Sequence, residues 1–226
     1  VKLAIIVPAF NEASVIESVL KSLPQKIIGI SKIKTVVVND GSSDQTYQKA
    51  QNANILVLNH ILNRGAGAAT RTGIDFAKSS QADVIVTFDA DGQHNPTDIE
   101  KLVRPIIENK ADLVIGSRLK KRQKMPVDRF ILNWLGNIIT FFLFGAFSTD
   151  TQSGLRAFSK NAASLIDFKS DRMEFSSEII QEAKRHKLKI VEVPTDAIYT
   201  KYSRSKGQKN INALPVLIRT LVKFLR

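Results

Sequence analysis

The stretch "DVIVTFDADGQHNPTDIEKLVRPIIENKADLVIGSR", Asp83 to Arg118, decides the fold. It opens on "DVIVTFD", a continuous run with the β-branched and aromatic content of a buried strand. "NPTDIEKLVRPIIEN" follows with apolar residues at helical spacing, and Pro96 stands near its first turn. "ADLVIGSR" is a second apolar strand. Strands that are apolar along their length and joined by helices sit in a mostly parallel sheet covered on both faces. The first strand ends in two acids one residue apart, Asp89 and Asp91. Repulsion disfavours that arrangement unless a cation sits there or both acids face water at a turn.

Moving towards the N-terminus, the same alternation repeats. "LAIIVPA" is a strand ending at Pro8 and Ala9; "NEASVIESVLKSL" is a helix with Asn11 as its expected cap. "KIKTVVVND" is a strand ending in Asp40, "SSDQTYQKAQN" a capped helix, "NILVLN" a strand and "GAGAATRTGIDFAKSS" a helix rich in small residues. The expected class is α/β, with a mostly parallel central sheet and helices on both faces. Ligands bind such sheets beyond the carboxyl ends of the strands. The polar residues at those ends are Asn11, Glu12, Asp40, Asn63, Asp89, Asp91, Ser117 and Arg118.

The second half is less regular. A basic loop leads into "FILNWLGNIITFFLFGAF", Phe130 to Phe147, which is short and polar for a membrane span and reads as an interfacial or core helix. "DTQSGLRAFSK" is a turn and short strand, "EFSSEIIQEAKRHK" a helix, "KIVEVPTDAIY" a strand pair broken at Pro194, and "INALPVLIRTLVKFL" a closing amphipathic helix. With no linker or repeat in 226 residues, a single domain over 1–226 is expected. No signal peptide is expected, because the sequence opens on a strand.

The chain has no Cys, which removes disulfides, a thiolate nucleophile and Cys-based zinc sites. With three His, a divalent metal here would be a hard ion held by oxygen. The net charge of +12 suits an anionic partner. "RLKKRQK", Arg118 to Lys124, and the acid-free stretch after Asp196 concentrate the bases, although a charge run is also an ordinary solvated face.

Each polar motif has a bland alternative. Asp89 and Asp91 can share one cation, or form a solvated turn with Gly92. Asp40 can accept from a base or ribose, while Ser43 or Asp44 caps the next helix. Gly65, Gly67 and Ala68 allow close backbone approach to a ligand, or close packing of helix on sheet.

Together "PAFNE", "NDGSSD", "NRGAGAA", "DADGQH", "GSR" and "DTQSGLRAF", in that order, resemble glycosyltransferase family 2 with its GT-A (Rossmann-like) fold. Within it the likeness is to polyprenyl- or dolichyl-phosphate sugar transferases of the dolichyl-phosphate mannose synthase type. The resemblance implies a nucleotide-sugar-binding half over 1–118 and an acceptor-binding half over 119–226. Pro8, Ala9, Asn11, Glu12, Asp40, Gly65 and Ala90 would line the donor site. Asp89, Asp91 and Gln93 would hold Mg²⁺ or Mn²⁺, with Asp91 and Gln93 as the more direct ligands. Arg118 would meet the donor diphosphate or the acceptor phosphate. Asp150, Gln152, Ser153, Arg156 and Glu178 fall on the acceptor side, with Ser153 where a Cys is common in the family. Arg204 and Lys206 in "YSRSKGQK" would close over the phosphates.

The implied activity is an inverting, metal-dependent transfer of a hexose from a UDP- or GDP-sugar to a polyprenyl or dolichyl phosphate. It would act at the cytoplasmic side of a membrane, peripherally, on an anionic surface that each nearby base favours by about 1 kcal/mol. Transfer to a saccharide or other hydroxyl is the alternative. A nucleotidyltransferase would carry a Gly-rich, Arg-containing loop where "PAFNE" stands. No RNP, helix-turn-helix or zinc-finger pattern supports a nucleic-acid partner.

Overall fold

The computed structural model describes residues 1–120 and 148–198. Expectations that fall elsewhere lie outside the described residues: the rest of the basic run, the Phe130–Phe147 stretch, the closing helix, and Arg204 and Lys206. In chain order the elements are β1 (Lys2–Ala9), α1 (Ile16–Ser22), β2 (Lys32–Asp40), α2 (Thr46–Asn52), β3 (Leu56–His60), α3 (Ala66–Ser79), β4 (Val84–Thr87), α4 (Asp98–Ile107), β5 (Leu113–Ser117), β6 (Arg156–Ser159), α5 (Lys160–Leu165), α6 (Phe175–Arg185) and β7 (Ile190–Pro194).

The strands form one seven-stranded sheet in the order β3-β2-β1-β4-β6-β5-β7. All pairings are parallel except those of β6, which runs antiparallel between β4 and β5. The expected α/β sheet is therefore present, with one reversed strand inside it. That reversal places the start of β6 at the same edge as the ends of its neighbours.

Period-two alternation divides the core. Leu3, Ile5 and Val7 of β1 face one layer with Ile16, Val19 and Leu20 of α1 and Ile99, Leu102 and Val103 of α4. Ala4 and Ile6 face the other, with Ala69, Ile74 and Ala77 of α3 and Phe175, Ile179 and Ile180 of α6. Both faces are thus covered by helices, which explains why the strands are apolar throughout. The small residues of α3 serve this packing: a Cβ at Gly73 would collide with Ile6.

Three local expectations are corrected. Asn11 does not cap α1, which starts at Ile16 without a side-chain cap. Its backbone has φ 55°, and its Oδ1 instead accepts from Ser43 N at 2.8 Å, tying the β1–α1 loop to the β2–α2 loop. "KIVEVPTDAIY" gives one strand, β7, whose ladder to β5 closes with Thr195 N donating to Ser117 O at 3.0 Å, and among the described residues it is followed by an isolated bridge from Ala197 to His94. Helix α5 went unforeseen; Ser159 Oγ accepts from Ala162 N at 3.0 Å and starts it directly after β6.

Candidate active site

The ends of β1, β2, β4 and β5 and the start of β6 meet at one edge. Past β4 the ladder continues by one bond, Phe88 N to Ile6 O at 2.9 Å, and then the chain turns. The turn closes on itself. Asp91 Oδ1 accepts from Gln93 N at 2.9 Å and its Oδ2 from Gln93 Nε2 at 2.5 Å, while Gly92 takes φ 73°. Asp89 Oδ2 lies 3.0 Å from Nε2 of the buried His94, whose ring meets Phe88 edge-on. The segment after β7 covers this turn, with Ile198 N donating to Gln93 O at 2.8 Å.

The two acids are driven apart in acidity. Burial, and then the charge of Asp89, holds Asp91 above the usual carboxylate range. Burial also pushes Asp89 up, but the hydrogen bond and charge of His94, with Arg118 and Arg156, outweigh it and hold Asp89 below that range. Two half-buried carboxylates that repel one another favour a cation between them.

Their chemistry fits Mg²⁺ or Mn²⁺. Asp89, Asp91 and the Gln93 amide supply hard oxygen donors, while no group of three His, Asp or Glu capable of holding a metal exists among the described residues. An ion at such a site keeps water and substrate oxygens as its other ligands.

Gly154 lies directly beneath this turn. A Cβ there would collide with both carboxylate oxygens of Asp89. Gly154→Ala is expected to displace Asp89 from His94 and lower kcat about 100-fold, the scale of an ångström-sized misplacement. Steady-state kinetics check this, and an unchanged kcat would remove Asp89 from the machinery.

Arg118, just past β5, is clamped by Asp150. Its Nε and Nη2 donate to Asp150 Oδ2 and Oδ1 at 2.7 and 2.8 Å, and its backbone N donates to Oδ2 at 3.0 Å. This two-pronged pair is geometrically specific. Asp150 is fully buried and Arg118 remains 17% exposed, towards the edge. Arg156 begins β6 as the largest fully buried side chain among the described residues. Nη2 donates to Thr151 O at 2.7 Å, whereas Nε and Nη1 have no hydrogen-bond partner among the described residues. Burial pushes its pKa down to about 10, against the opposing charges of Asp150 and Asp89.

Other expected site residues hold the scaffold. Asp40 accepts two donors on each oxygen: His60 Nδ1 (2.7 Å) and Arg64 N (3.0 Å), Asn63 Nδ2 (2.9 Å) and Gly65 N (2.7 Å). That matches a carboxylate's accepting capacity and pins the β3–α3 loop. Gly65 has φ 113°, and a Cβ there would collide with Asp171 O, so its close backbone approach is to protein. Glu178 accepts from Lys169 N, Ser170 N and Ser170 Oγ at 2.7, 2.9 and 2.7 Å, which holds the loop before α6. Pro8 and Ala9 end β1, and Glu12 N donates to Thr46 Oγ1 at 2.7 Å. Ala90 is buried between the two acids.

The structure therefore gathers Asp89, Asp91, Gln93, Arg118 and Arg156, while Asp40 and Glu178 are tied into loops. It adds His94 and Gly154. His94 was visible as the last residue of "DADGQH", but its partner depends on how the turn closes. Gly154 shows only when β6 is placed beside β4.

The Glycosyl transferase family 2 profile matches residues 4–164. The chain is 38% identical to the UDP-N-acetylglucosamine–dolichyl-phosphate N-acetylglucosaminyltransferase of Methanococcus voltae, over 96% of this chain and 94% of that protein. It is 30% identical to the undecaprenyl-phosphate mannosyltransferase of Micrococcus luteus, over 89% and 85%. Among solved structures, glucosyl-3-phosphoglycerate synthase from Mycobacterium tuberculosis, in complex with Mn²⁺, UDP and phosphoglyceric acid, superposes with a TM-score of 0.70 at 19% identity, covering 97% of this chain and 78% of that one. At that identity the likeness concerns the fold alone.

Proposed function

The chain belongs to glycosyl transferase family 2, and we propose that it transfers a sugar from a nucleoside-diphosphate donor to the phosphate of a polyprenyl or dolichyl lipid, inverting the anomeric carbon. The observation that carries this is the meeting, at one sheet edge, of the Asp89–Asp91 turn with Arg118 held rigid by Asp150. The names of the two relatives support the lipid acceptor.

In this reading, residues 1–118 bind the donor, with Pro8, Ala9, Asn11 and Glu12 beside the base and ribose, and the remainder faces the acceptor. Asp91 and Gln93, with Asp89, would hold Mg²⁺ or Mn²⁺. Such an ion supplies charge neutralisation at the leaving diphosphate. Arg118 binds phosphate oxygens as a fixed cation and stabilises the negative charge that grows as the glycosidic bond breaks. A lipid phosphate arrives already ionised and attacks the anomeric carbon without a strong base. That suits this edge, where Asp40, Asp150 and Glu178 all engage protein donors. A hydroxyl acceptor would need a carboxylate positioned to take its proton.

No helix among the described residues is long and apolar enough to cross a membrane. The basic stretches would hold the enzyme peripherally on an anionic cytoplasmic surface.

Calorimetry with UDP, GDP and CDP and their glucose, mannose and N-acetylglucosamine forms, with and without Mn²⁺, tests the donor half. Uridine compounds come first, because a relative is named for a UDP-sugar. One nucleotide is expected to bind, more tightly with Mn²⁺. Equal binding without metal would return Asp89 and Asp91 to an ordinary turn. No binding to any would overturn the proposal. Transfer to a saccharide but not to polyprenyl phosphate would replace the acceptor.

A further inference from the structure

Strand β7 carries an acid that the reaction above does not use. Glu192 sits opposite Ile115 in the parallel β5–β7 register. Its neighbours Val191 and Val193 pack into one core layer. Alternation therefore turns Glu192 to the other face, the one to which Ile115 contributes. Its side chain is 12% exposed. Rather than reaching solvent, it reaches the loop that precedes β6. Oε1 accepts from Thr149 N at 2.7 Å and Oε2 accepts from Thr149 Oγ1 at 2.6 Å. Lys120 Nζ stands 3.5 Å from Oε2 and donates to Glu192 O at 3.1 Å.

The direction of this chain follows from the chemistry of its groups. An ionised carboxylate only accepts, so the single hydroxyl proton of Thr149 goes to Glu192. Thr149 Oγ1, 2.7 Å from Ser117 Oγ, must then accept the Ser117 proton. Ser117 Oγ is left to accept Lys120 N, at 3.3 Å. Ser117 and Thr149 are the immediate neighbours of Arg118 and Asp150. Glu192 thus bonds the backbone beside Asp150 directly and reaches the side chain beside Arg118 through the Thr149 hydroxyl, from a strand belonging to neither.

We propose that Glu192 is a positioning residue for transfer, aiming Arg118 by fixing the Thr149–Asp150 segment against the end of β5. The inference rests on Arg118 contacting phosphate, as in the proposed function. If Glu192 merely fastened a loop, its removal would lower stability and act on turnover independently of Arg118. If it acts through Arg118, its effect must vanish once the clamp is already broken.

A double-mutant cycle separates these cases, using Glu192→Ala and Arg118→Lys. The lysine keeps a charge, and so measurable turnover, but cannot form the two-pronged pair. Glu192→Ala is expected to lower kcat about 10- to 100-fold in the wild-type background, with donor KM unchanged. In the Arg118→Lys background it is expected to lower kcat no further. Thr149→Val, which removes the linking hydroxyl at constant shape, should behave alike and serves if Glu192→Ala does not fold. Equal losses in both backgrounds, or none in the wild type, would overturn the proposal. Wild-type turnover by Arg118→Lys alone would instead count against the phosphate role of Arg118, a failure read separately from that of Glu192.

Discussion

Asp91→Ala is expected to lower kcat at least about 1000-fold, roughly 4 kcal/mol in the barrier, while the protein keeps its fold. The loss follows from position. Asp91 stands at the turn beyond β4, with its carboxylate oriented by Gln93 through both the backbone N and Nε2. Stability should move the other way. Burial and the charge of Asp89 raise its pKa in the folded protein. A group raised on folding contributes stability that is fully present below its unfolded pKa and is lost as pH rises through the folded value. Above that folded value the Asp91 carboxylate therefore opposes folding, and removing it should leave Tm equal or higher there. Mn²⁺ should raise the Tm of the wild type and not that of the variant. A variant that turns over normally, or that unfolds several degrees earlier, would contradict this account.

Asp150→Ala is expected to cost about 3 kcal/mol of stability, the lower end for breaking a buried ion pair from one side. The lower end applies because Arg118 is 17% exposed and can turn towards water once its partner is gone. For a chain of this size that is a fall in Tm of roughly 6–12 °C. Turnover should fall as well, because Asp150 receives Nε, Nη2 and the backbone N of Arg118. Asp150→Asn keeps the shape and one acceptor and should lie between. Thermal unfolding beside kinetics checks both effects; an unchanged Tm would mean that the clamp contributes nothing to the fold.

The alternation of apolar strands with amphipathic helices was legible because both periodicities are local. Strand β2 was read with its bounds, and β1, β4 and β5 to within a few residues. The place of β6 was not legible. Its four residues, "RAFS", pair with β4 and β5 across long separations, and nothing local to the strand shows that it enters reversed between them. Helix α5 escaped for a similar reason, being six residues long and started by a single Ser cap. At the site, the presence of acids and bases at strand ends was visible, but the partners of each were not. Asp40 and Glu178 look alike in sequence to any site acid. Only the loops folded onto them show that their oxygens are engaged.

By itself, the sequence determined that this chain is an α/β protein with a mostly parallel sheet, and which polar residue types stand at the carboxyl ends of its strands. Those properties follow from hydrophobic periodicity and from the residues that end each strand, which neighbours along the chain establish. The tertiary structure alone decided which charges face the edge and which hold it together: Arg118 against Asp150, His94 against Asp89, Glu192 against Thr149. The physical reason is that a polar group's role depends on who satisfies its hydrogen bonds once it is buried. Those partners arrive from distant segments that only the folded sheet brings within reach.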